Sequence, residues 1–200
     1  MVFRGFFQGT FLIIIVRGCL KWLMTFSSPF ACLFFKRYST KNENTDIHIV
    51  ENNDRGETMF TVRKGETVDN PFIQQFIERS EAIYDKDSVF ILVENEEKEM
   101  LSVIGLHKCE QIGFLRSFVF SPAFPVDKLP LFFERVLMVV KENECQSLFL
   151  ASNKRQTISF FELFGFKEIE QENIPEKLKL STAFSETNRL VNVFYMWKTI

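Results

Sequence analysis

The sequence predicts an α/β protein in which helices cover both faces of a single sheet. Two observations support this fold class. Strand patterns dominate the first half of the folded region, whereas strands and helices alternate in the second half. In addition, residues 113–166 read as strand, turn, long amphipathic helix, strand, loop and short helix. The turn in this stretch leads into the N-terminus of the long helix. Backbone N–H groups at a helix N-terminus favour anions, so a phosphate-bearing ligand could bind there.

The first half of the folded region, from about residue 58, contains one helix among short strands. Apolar residues three and four positions apart predict a helix over 68–82, with Pro71 in its first turn. The charged segment 94–99 predicts a solvated hairpin turn. The predicted strands are residues 60–63, 88–94 and 100–107.

The second half alternates strands and helices. The apolar segment 114–120 predicts a strand that Pro122 ends. An apolar stripe from residue 127 to about 140 predicts a long helix, with Pro130 in its first turn. A helix over 157–164 should end at Gly165, which fits the left-handed position after a helix. The remaining predictions are strands at 147–151, 167–170 and 191–197 and a helical turn at 175–180.

Composition and charge exclude some classes of function. A net charge of −2 argues against a nucleic-acid-binding surface. The four cysteines, at positions 19, 32, 109 and 145, are far apart and form no C-x-x-C pair, so we expect reduced thiols. His107 and Cys109 together are too few to make a metal site, and we expect no metal.

Residues 1–41 differ in composition from the rest of the chain. They contain no Asp or Glu but several Lys and Arg, with Ser and Thr between them, which is typical of a mitochondrial presequence. Two alternatives remain at this point, a membrane anchor and a secretory signal. Membrane contact is expected only through this segment. Residues 42–57 are polar and predict a linker that can include a short strand at 47–50.

Three runs of sequence resemble a known superfamily. They are Leu115-Arg116-Ser117-Phe118-Val119-Phe120-Ser121-Pro122, Phe160-Phe161-Glu162-Leu163-Phe164-Gly165-Phe166 and Glu172-Asn173-Ile174-Pro175-Glu176-Lys177-Leu178. In this order they resemble the GNAT superfamily of acetyl-CoA-dependent N-acetyltransferases. The resemblance is strongest to small amino-acid acetyltransferases related to the acetyltransferase domain of N-acetylglutamate synthase. It implies a domain over 58–200 with a mixed, mostly antiparallel central sheet.

The resemblance also implies where acetyl-CoA, the co-substrate, would bind. The backbone of Phe118, Val119 and Phe120 would run beside the pantetheine arm, although these residues can equally be plain core residues. Asn153 follows the next strand, where enzymes of this superfamily often contact CoA, and it can alternatively cap the loop.

The resemblance breaks at the turn that binds the CoA pyrophosphate. The superfamily has a glycine-rich loop there, whereas this chain has Pro125-Val126-Asp127-Lys128-Leu129-Pro130, without glycine. The two prolines lack N–H donors. Only Lys128 could replace the lost donors, as a point charge.

Two charged residues are candidates for the chemistry. Arg116 lies in an apolar strand, so its guanidinium needs a partner, either a substrate carboxylate or an intramolecular carboxylate. Glu110 precedes the same strand and could act as a base through water, or could be an ordinary surface acid. The sequence therefore predicts a mitochondrial N-acetyltransferase for a small amine or amino acid. The alternative is a catalytically inactive GNAT-fold binding or assembly module.

Overall fold

The computed structural model describes residues 11–16, 19–24, 47–53 and 56–200, with side chains from Met59 onward. The strands in these ranges are β1 (Phe11–Val16), β2 (Cys19–Met24), β3 (Ile47–Asn53), β4 (Gly56–Lys64), β5 (Val89–Glu94), β6 (Met100–Cys109), β7 (Ile112–Phe120), β8 (Ser147–Ser152), β9 (Lys167–Ile169) and β10 (Phe194–Thr199). The α-helices are α1 (Asn70–Arg79), α2 (Leu129–Glu142), α3 (Gln156–Leu163), α4 (Glu176–Lys179) and α5 (Thr182–Thr187).

The main sheet has eight strands in the order β3-β4-β5-β6-β7-β8-β10-β9. Every neighbouring pair is antiparallel except β7 and β8, which are parallel. β1 and β2 form a separate antiparallel pair. The predicted fold class, a mixed and mostly antiparallel sheet with helices on both faces, is confirmed.

Most predicted elements are present, and the differences lie at their ends. The short strand predicted at 47–50 continues to Asn53 and pairs along β4, so the sheet reaches into the segment interpreted as a linker. The helix predicted over 68–82 is shorter, because residues 67–69 form a 3-10 turn before α1. α5 was not predicted. Gly165 has φ of +80° directly after α3, as expected.

The presequence and anchor interpretations of residues 1–41 concern a segment that lies largely outside the described residues. Among the helices that the structure describes, none combines the length and apolar composition needed to cross a bilayer.

The side chains of the sheet alternate between two faces, each with its own core. The α2 face carries α2 and α3, and its core includes Ile104, Leu115 and Leu150. On the opposite face, here called the α1 face, there are two separate cores. One joins α1 to β5 and β6, and the other joins α4 and α5 to β7, β8 and β10.

A cluster of phenylalanines fills the α2 face between β7, α2 and α3. Phe133 is fully buried, and its ring centroid lies 4.5 Å from that of Phe164 and 5.7 Å from that of Phe161. Phe118 contacts rings on both helices, at 6.3 Å from Phe132 and 6.1 Å from Phe161. The members of this phenylalanine cluster are Phe118, Phe120, Phe124, Phe132, Phe133, Phe160, Phe161, Phe164 and Phe166.

Phe133→Ala should therefore lower the free energy of unfolding by about 3–5 kcal/mol, because it removes a buried ring and leaves a cavity. The matched control is Phe72→Ala, since the Phe72 side chain is 68% exposed on α1, and we expect a change within about 0.5 kcal/mol. Urea unfolding followed by circular dichroism measures both. Equal losses for the two variants would contradict the assignment of the cluster as core.

Candidate functional site

β7 and β8 are hydrogen-bonded at one end and separate at the other. Their parallel register runs only from Ile112 opposite Ser147 to Leu115 opposite Leu150, whereas β7 continues to Phe120. At the closed end, a Cβ on Gly113 would lie 2.9 Å from methyl carbons of both Leu106 and Leu148. A side chain there would require these two leucine side chains to move. Beyond Leu115 this pairing stops, although β8 continues to Ser152, and we call the unpaired edges of the two strands the β7–β8 gap.

A bulge in β7 accounts for the end of this pairing. The register between β6 and β7 shifts between Val103 and Gly105, so that Ser117 and Phe118 together oppose Ile104. Ser117 adopts φ of +51°, and its hydroxyl donates a hydrogen bond to the Ile83 carbonyl. Because a bulge bends its strand and increases its twist, the second half of β7 turns away from β8.

The bulge leaves the peptide groups of Phe120 facing the gap. The Val119 carbonyl accepts a hydrogen bond from Ser102 Oγ at 2.9 Å, and the Ser121 N–H donates to Leu101 at 2.8 Å, so both point toward β6. In a trans peptide the C=O and N–H point in opposite directions. The Phe120 N–H and C=O therefore point away from β6, toward the gap. Of the three residues predicted to line a pantetheine arm, Phe120 presents both groups, whereas the Val119 carbonyl is already bonded.

The turn between β7 and α2 lies at the mouth of the gap but has few N–H donors to offer. Residues 126–128 form a 3-10 turn ahead of α2. The N–H groups of Ala123, Phe124, Lys128 and Leu129 all donate to atoms within the turn. Pro122, Pro125 and Pro130 have no N–H at all.

The charge in this turn is also internally balanced. Lys128 Nζ lies 3.1 Å from the Asp127 carboxylate, and the Asp127 side chain is 65% exposed while that of Lys128 is 16% exposed. Lys128, the predicted substitute for the lost donors, therefore already has an anionic partner. The turn does not fit a pyrophosphate, whereas the strand edge at Phe120 fits an uncharged amide-bearing arm.

Asn153 is exposed directly after β8, on the opposite side of the gap mouth. The loop there is capped by other residues: Ser152 Oγ accepts from the Lys154 N–H at 3.1 Å and from Thr157 Oγ1 at 2.7 Å. Asn153 is therefore not needed for the loop, and its place at the end of β8 is compatible with the predicted CoA contact.

A polar cluster lies on the α1 face at the start of the gap, centred on the Asp85 carboxylate. Asp85 Oδ2 lies 2.8 Å from His107 Nδ1, 2.8 Å from Ser88 Oγ and 3.4 Å from Arg116 Nη1. Arg116 Nη2 also donates to Glu186 Oε2 of α5 at 2.7 Å. We call these residues the Asp85 cluster. Through Arg116, the cluster joins the segment after α1 to α5 across β7.

The cluster holds Asp85 in its charged form. Burial alone would raise the pKa of Asp85, but hydrogen bonds from the Asp87 N–H, Ser88 and His107, together with the charge of Arg116, outweigh it and lower the pKa below its ordinary value. Because the ionised carboxylate can only accept, His107 Nδ1 is the donor of this bond, and Nε2 is the ring nitrogen that the bond leaves available.

Arg116 has the intramolecular partners that were one of its two predicted roles. Its side chain is only 6% exposed, whereas the Glu186 side chain is 37% exposed. The buried guanidinium is thus covered on one side by a carboxylate that reaches solvent. Asp85, His107 and Glu186 were not predicted as site residues, because they lie 31, 9 and 70 positions from Arg116 and carry no local motif.

Glu110 lies at the other end of β7, in the turn before the strand. At about 3.3 Å per residue, it is about 26 Å along the chain from Phe118. Its carboxylate pairs with Lys177, and both side chains are mostly exposed. The structure therefore separates Glu110 from the gap, and this is the surface-acid alternative. In the described part of the chain, no group of three or more His, Cys, Asp or Glu could hold a metal ion.

Searches of solved structures find the same fold in GNAT acetyltransferases. A Mycobacterium tuberculosis protein in complex with CoA matches with a TM-score of 0.56 and 19% identity, over 70% of this chain and 98% of its own. N-acetylglutamate synthase from Neisseria gonorrhoeae, complexed with CoA and N-acetylglutamate, matches with a TM-score of 0.56 and 15% identity, over 70% of this chain but only 35% of its own length. The Escherichia coli ribosomal-protein-S18-alanine N-acetyltransferase matches with a TM-score of 0.52 and 15% identity, over 71% of this chain and 94% of its own length.

The predicted resemblance to the GNAT superfamily is confirmed as a likeness of fold. No protein-family model matches the sequence, and no curated protein matches it. At these identities the shared fold does not transfer an activity, which has to be argued from the site itself.

Asp85→Asn should lower the free energy of unfolding by about 1–3 kcal/mol at pH 7, because it weakens several hydrogen bonds to a buried carboxylate. The folded-state pKa of Asp85 is lowered, so its stabilising contribution is complete above about pH 4 and is lost as the pH falls through the folded-state pKa. The difference between wild type and variant should shrink over that acid range. Urea unfolding from pH 7 to pH 3 measures it.

The matched control is Asp87→Asn, which changes an exposed carboxylate two residues away and should leave stability within about 0.5 kcal/mol at every pH. A wild-type advantage over Asp85→Asn that stayed constant down to pH 3 would contradict a charged Asp85 at the centre of the cluster.

Proposed function

We propose that this chain is an N-acetyltransferase that transfers an acetyl group from acetyl-CoA to a small amine or amino acid. The observation that carries the proposal is the β7–β8 gap, with the free N–H and C=O of Phe120 on its edge. An extended amide-bearing arm can bond to such an edge as an added strand would. Holding the thioester in the gap would place its carbonyl near the bulge, next to the Asp85 cluster.

Acetyl transfer needs little from the protein beyond positioning and proton removal. A bound thioester and a bound amine within reach of each other gain most of the rate from proximity. The amine must lose its proton, its nitrogen bonds to the acetyl carbon, and the sulfur leaves as thiolate. The structure offers no tyrosine at position 161, where many GNAT enzymes have one, so protonation of the thiolate is assigned to solvent.

The acceptor site in this proposal is the Asp85 cluster. Arg116 is buried, yet its partner Glu186 reaches solvent, so a substrate carboxylate can replace Glu186 on the guanidinium without exposing Arg116. A carboxylate and a guanidinium form a strong, directional pair when shielded from water. This supports an acceptor that carries a carboxylate near its amine, such as an amino acid.

His107 is the residue in the cluster that we propose to accept the amine proton, in place of Glu110. Asp85 fixes the tautomer that leaves Nε2 free to act as the base. His107→Gln should lower kcat by about 100-fold or more and leave acetyl-CoA binding unchanged. Unchanged kcat would exclude His107 from this role.

Proteins of the same fold support this reaction class. The matched structures include an N-acetylglutamate synthase and a ribosomal-protein-S18-alanine N-acetyltransferase, and two of those cited above contain CoA. Substrates differ among them, so the small amino-acid acceptor rests on Arg116 in this chain. We also propose residues 1–41 as a mitochondrial presequence, which N-terminal sequencing of protein recovered from mitochondria would test.

A thermal-shift titration with acetyl-CoA, followed by transfer assays on a panel of amines, tests the proposal. Acetyl-CoA at 100 times its dissociation constant should add about 2.7 kcal/mol of stability, and transfer should release free thiol. The alternative, an inactive binding or assembly module, is favoured by the glycine-free turn. It would be supported if millimolar acetyl-CoA produced neither a shift nor thiol release.

Removal of Arg116 should act on substrates with a carboxylate more than on others. Arg116→Gln should raise KM for an amino acid by about 10–100-fold relative to the corresponding amino-acid amide, because a charge-assisted bond to the carboxylate is lost. Glu186→Gln is the complementary variant and should lower KM for the amino acid, since it removes the competing carboxylate. If KM for both acceptors changed equally in Arg116→Gln, the arginine would have only a structural role.

A further inference from the structure

We infer that this protein recognises its acyl donor through the thioester and the pantetheine arm and makes little use of the nucleotide diphosphate. It should therefore accept acyl thioesters of pantetheine that lack the nucleotide almost as well as acetyl-CoA. This inference deepens the proposed function and rests on it. The inference states which part of the acyl donor the protein binds, and therefore which class of donor it can use.

The first support is the saturation of the turn at the gap mouth. A helix N-terminus binds phosphate when its first N–H groups are free and the backbone can approach closely. Here four N–H groups of the turn and the start of α2 donate to neighbouring atoms, and three prolines supply none. In the turn itself this leaves a diphosphate only the N–H groups of Val126 and Asp127, next to the Asp127 carboxylate.

The second support is the charge already present at that place. The Asp127 carboxylate is exposed in the first 3-10 turn, where a negative charge is favoured by the helix dipole, so it occupies the electrostatic position of a phosphate. Its neighbour Lys128 is paired with it. Across the mouth, Arg155 also has partners within the protein: its Nη2 lies 3.7 Å from Glu168 Oε1, and its guanidinium carbon lies 5.1 Å from the centroid of the Phe194 ring.

The third support is that the uncharged part of the site is intact. Phe120 presents a free N–H and C=O to the gap, which match the amides of a pantetheine arm. The partly buried ring of Phe118 lies beside them, packed 4.6 Å from the buried ring of Phe120 and 6.1 Å from that of Phe161 on α3. A neutral arm with amides and methylene groups is what backbone groups beside phenyl rings recognise. The two parts of the donor site thus differ: the strand edge at Phe120 suits the pantetheine arm, whereas the turn before α2 does not suit the diphosphate.

The test compares acetyl-CoA with acetyl-pantetheine as donors for the full chain, measured as kcat/KM for thiol release. We expect the two values to agree within about 10-fold. A turn with two charge-assisted bonds to the diphosphate would instead favour acetyl-CoA by about 100-fold or more. A preference of that size in the wild type would overturn the inference while leaving the proposed function standing.

A variant with a glycine-containing turn should gain the preference for acetyl-CoA that the wild type lacks. Val126→Gly and Lys128→Gly remove side chains that block close approach, and Pro130→Gly adds one N–H, so the triple variant should shift the kcat/KM ratio toward acetyl-CoA by about 10-fold or more. The matched control is Glu97→Gly with Lys98→Gly in the charged hairpin turn, which adds backbone freedom outside the turn between β7 and α2 and should leave the ratio unchanged. An unchanged ratio in the triple variant would contradict the inference.

Salt dependence tests the same point without any substitution. A donor held by its phosphates loses affinity as ionic strength rises, whereas a neutral arm does not. KM for acetyl-CoA should therefore change less than about twofold between 50 and 500 mM NaCl, and a rise of tenfold would overturn the inference. If neither donor reacted with, or stabilised, the wild type and the triple variant, the proposed function would fail and this inference with it.

Discussion

The bulge in β7 is the constraint on which the candidate site depends. Without it, the parallel pairing of β7 and β8 could continue past Leu115 to the end of β8 at Ser152. With two residues opposite Ile104 and Ser117 at positive φ, the strand bends and the register ends at Leu115. The parallel pairing from Ile112 opposite Ser147 to Leu115 opposite Leu150 holds the other end closed, so the gap is confined to the part of β7 after Leu115.

The two faces of the sheet contribute differently to this geometry. On the α2 face, the phenylalanine cluster packs β7 against α2 and α3 by apolar burial alone and fixes the wall of the gap. On the α1 face, two apolar cores are separated, and the Asp85 cluster joins the segment after α1 to α5 across β7. Apolar burial, which is non-directional, therefore fixes the wall of the gap, and directional hydrogen bonds fix the polar groups beside it.

Local patterns were enough to predict most of the fold. Apolar periodicity located α1, α2 and most strands, and Gly165 was correctly predicted to end α3. α5 was missed because Thr182–Thr187 is short and shows no clear apolar stripe, and the extent of β3 was underestimated because its second half is polar. Such segments form because of tertiary pairing, which a local pattern does not contain.

The site was predicted only in part, for the same reason. Phe120 and Arg116 were named because they lie in a recognisable run, but the partners of Arg116 are far away in sequence. His107 was considered only as the last residue of a predicted strand and as part of a rejected metal site, and Asp85 was not considered. Glu110 was named from its nearness in sequence to β7, and it proves to lie at the closed end. The sequence places Glu110 just before β7, but it does not show which end of β7 is paired with β8 and which end borders the gap.

The most direct test of the account is the amide resonance of Phe120 in protein labelled with ¹⁵N-phenylalanine, followed during titration with acetyl-pantetheine. Phe120→Leu would assign the resonance. If the gap holds the acyl donor by its arm, the Phe120 signal moves with added donor, in step with the enzyme's saturation. A Phe120 signal that stays in place while the donor is turned over would show that the thioester binds elsewhere and would contradict the account.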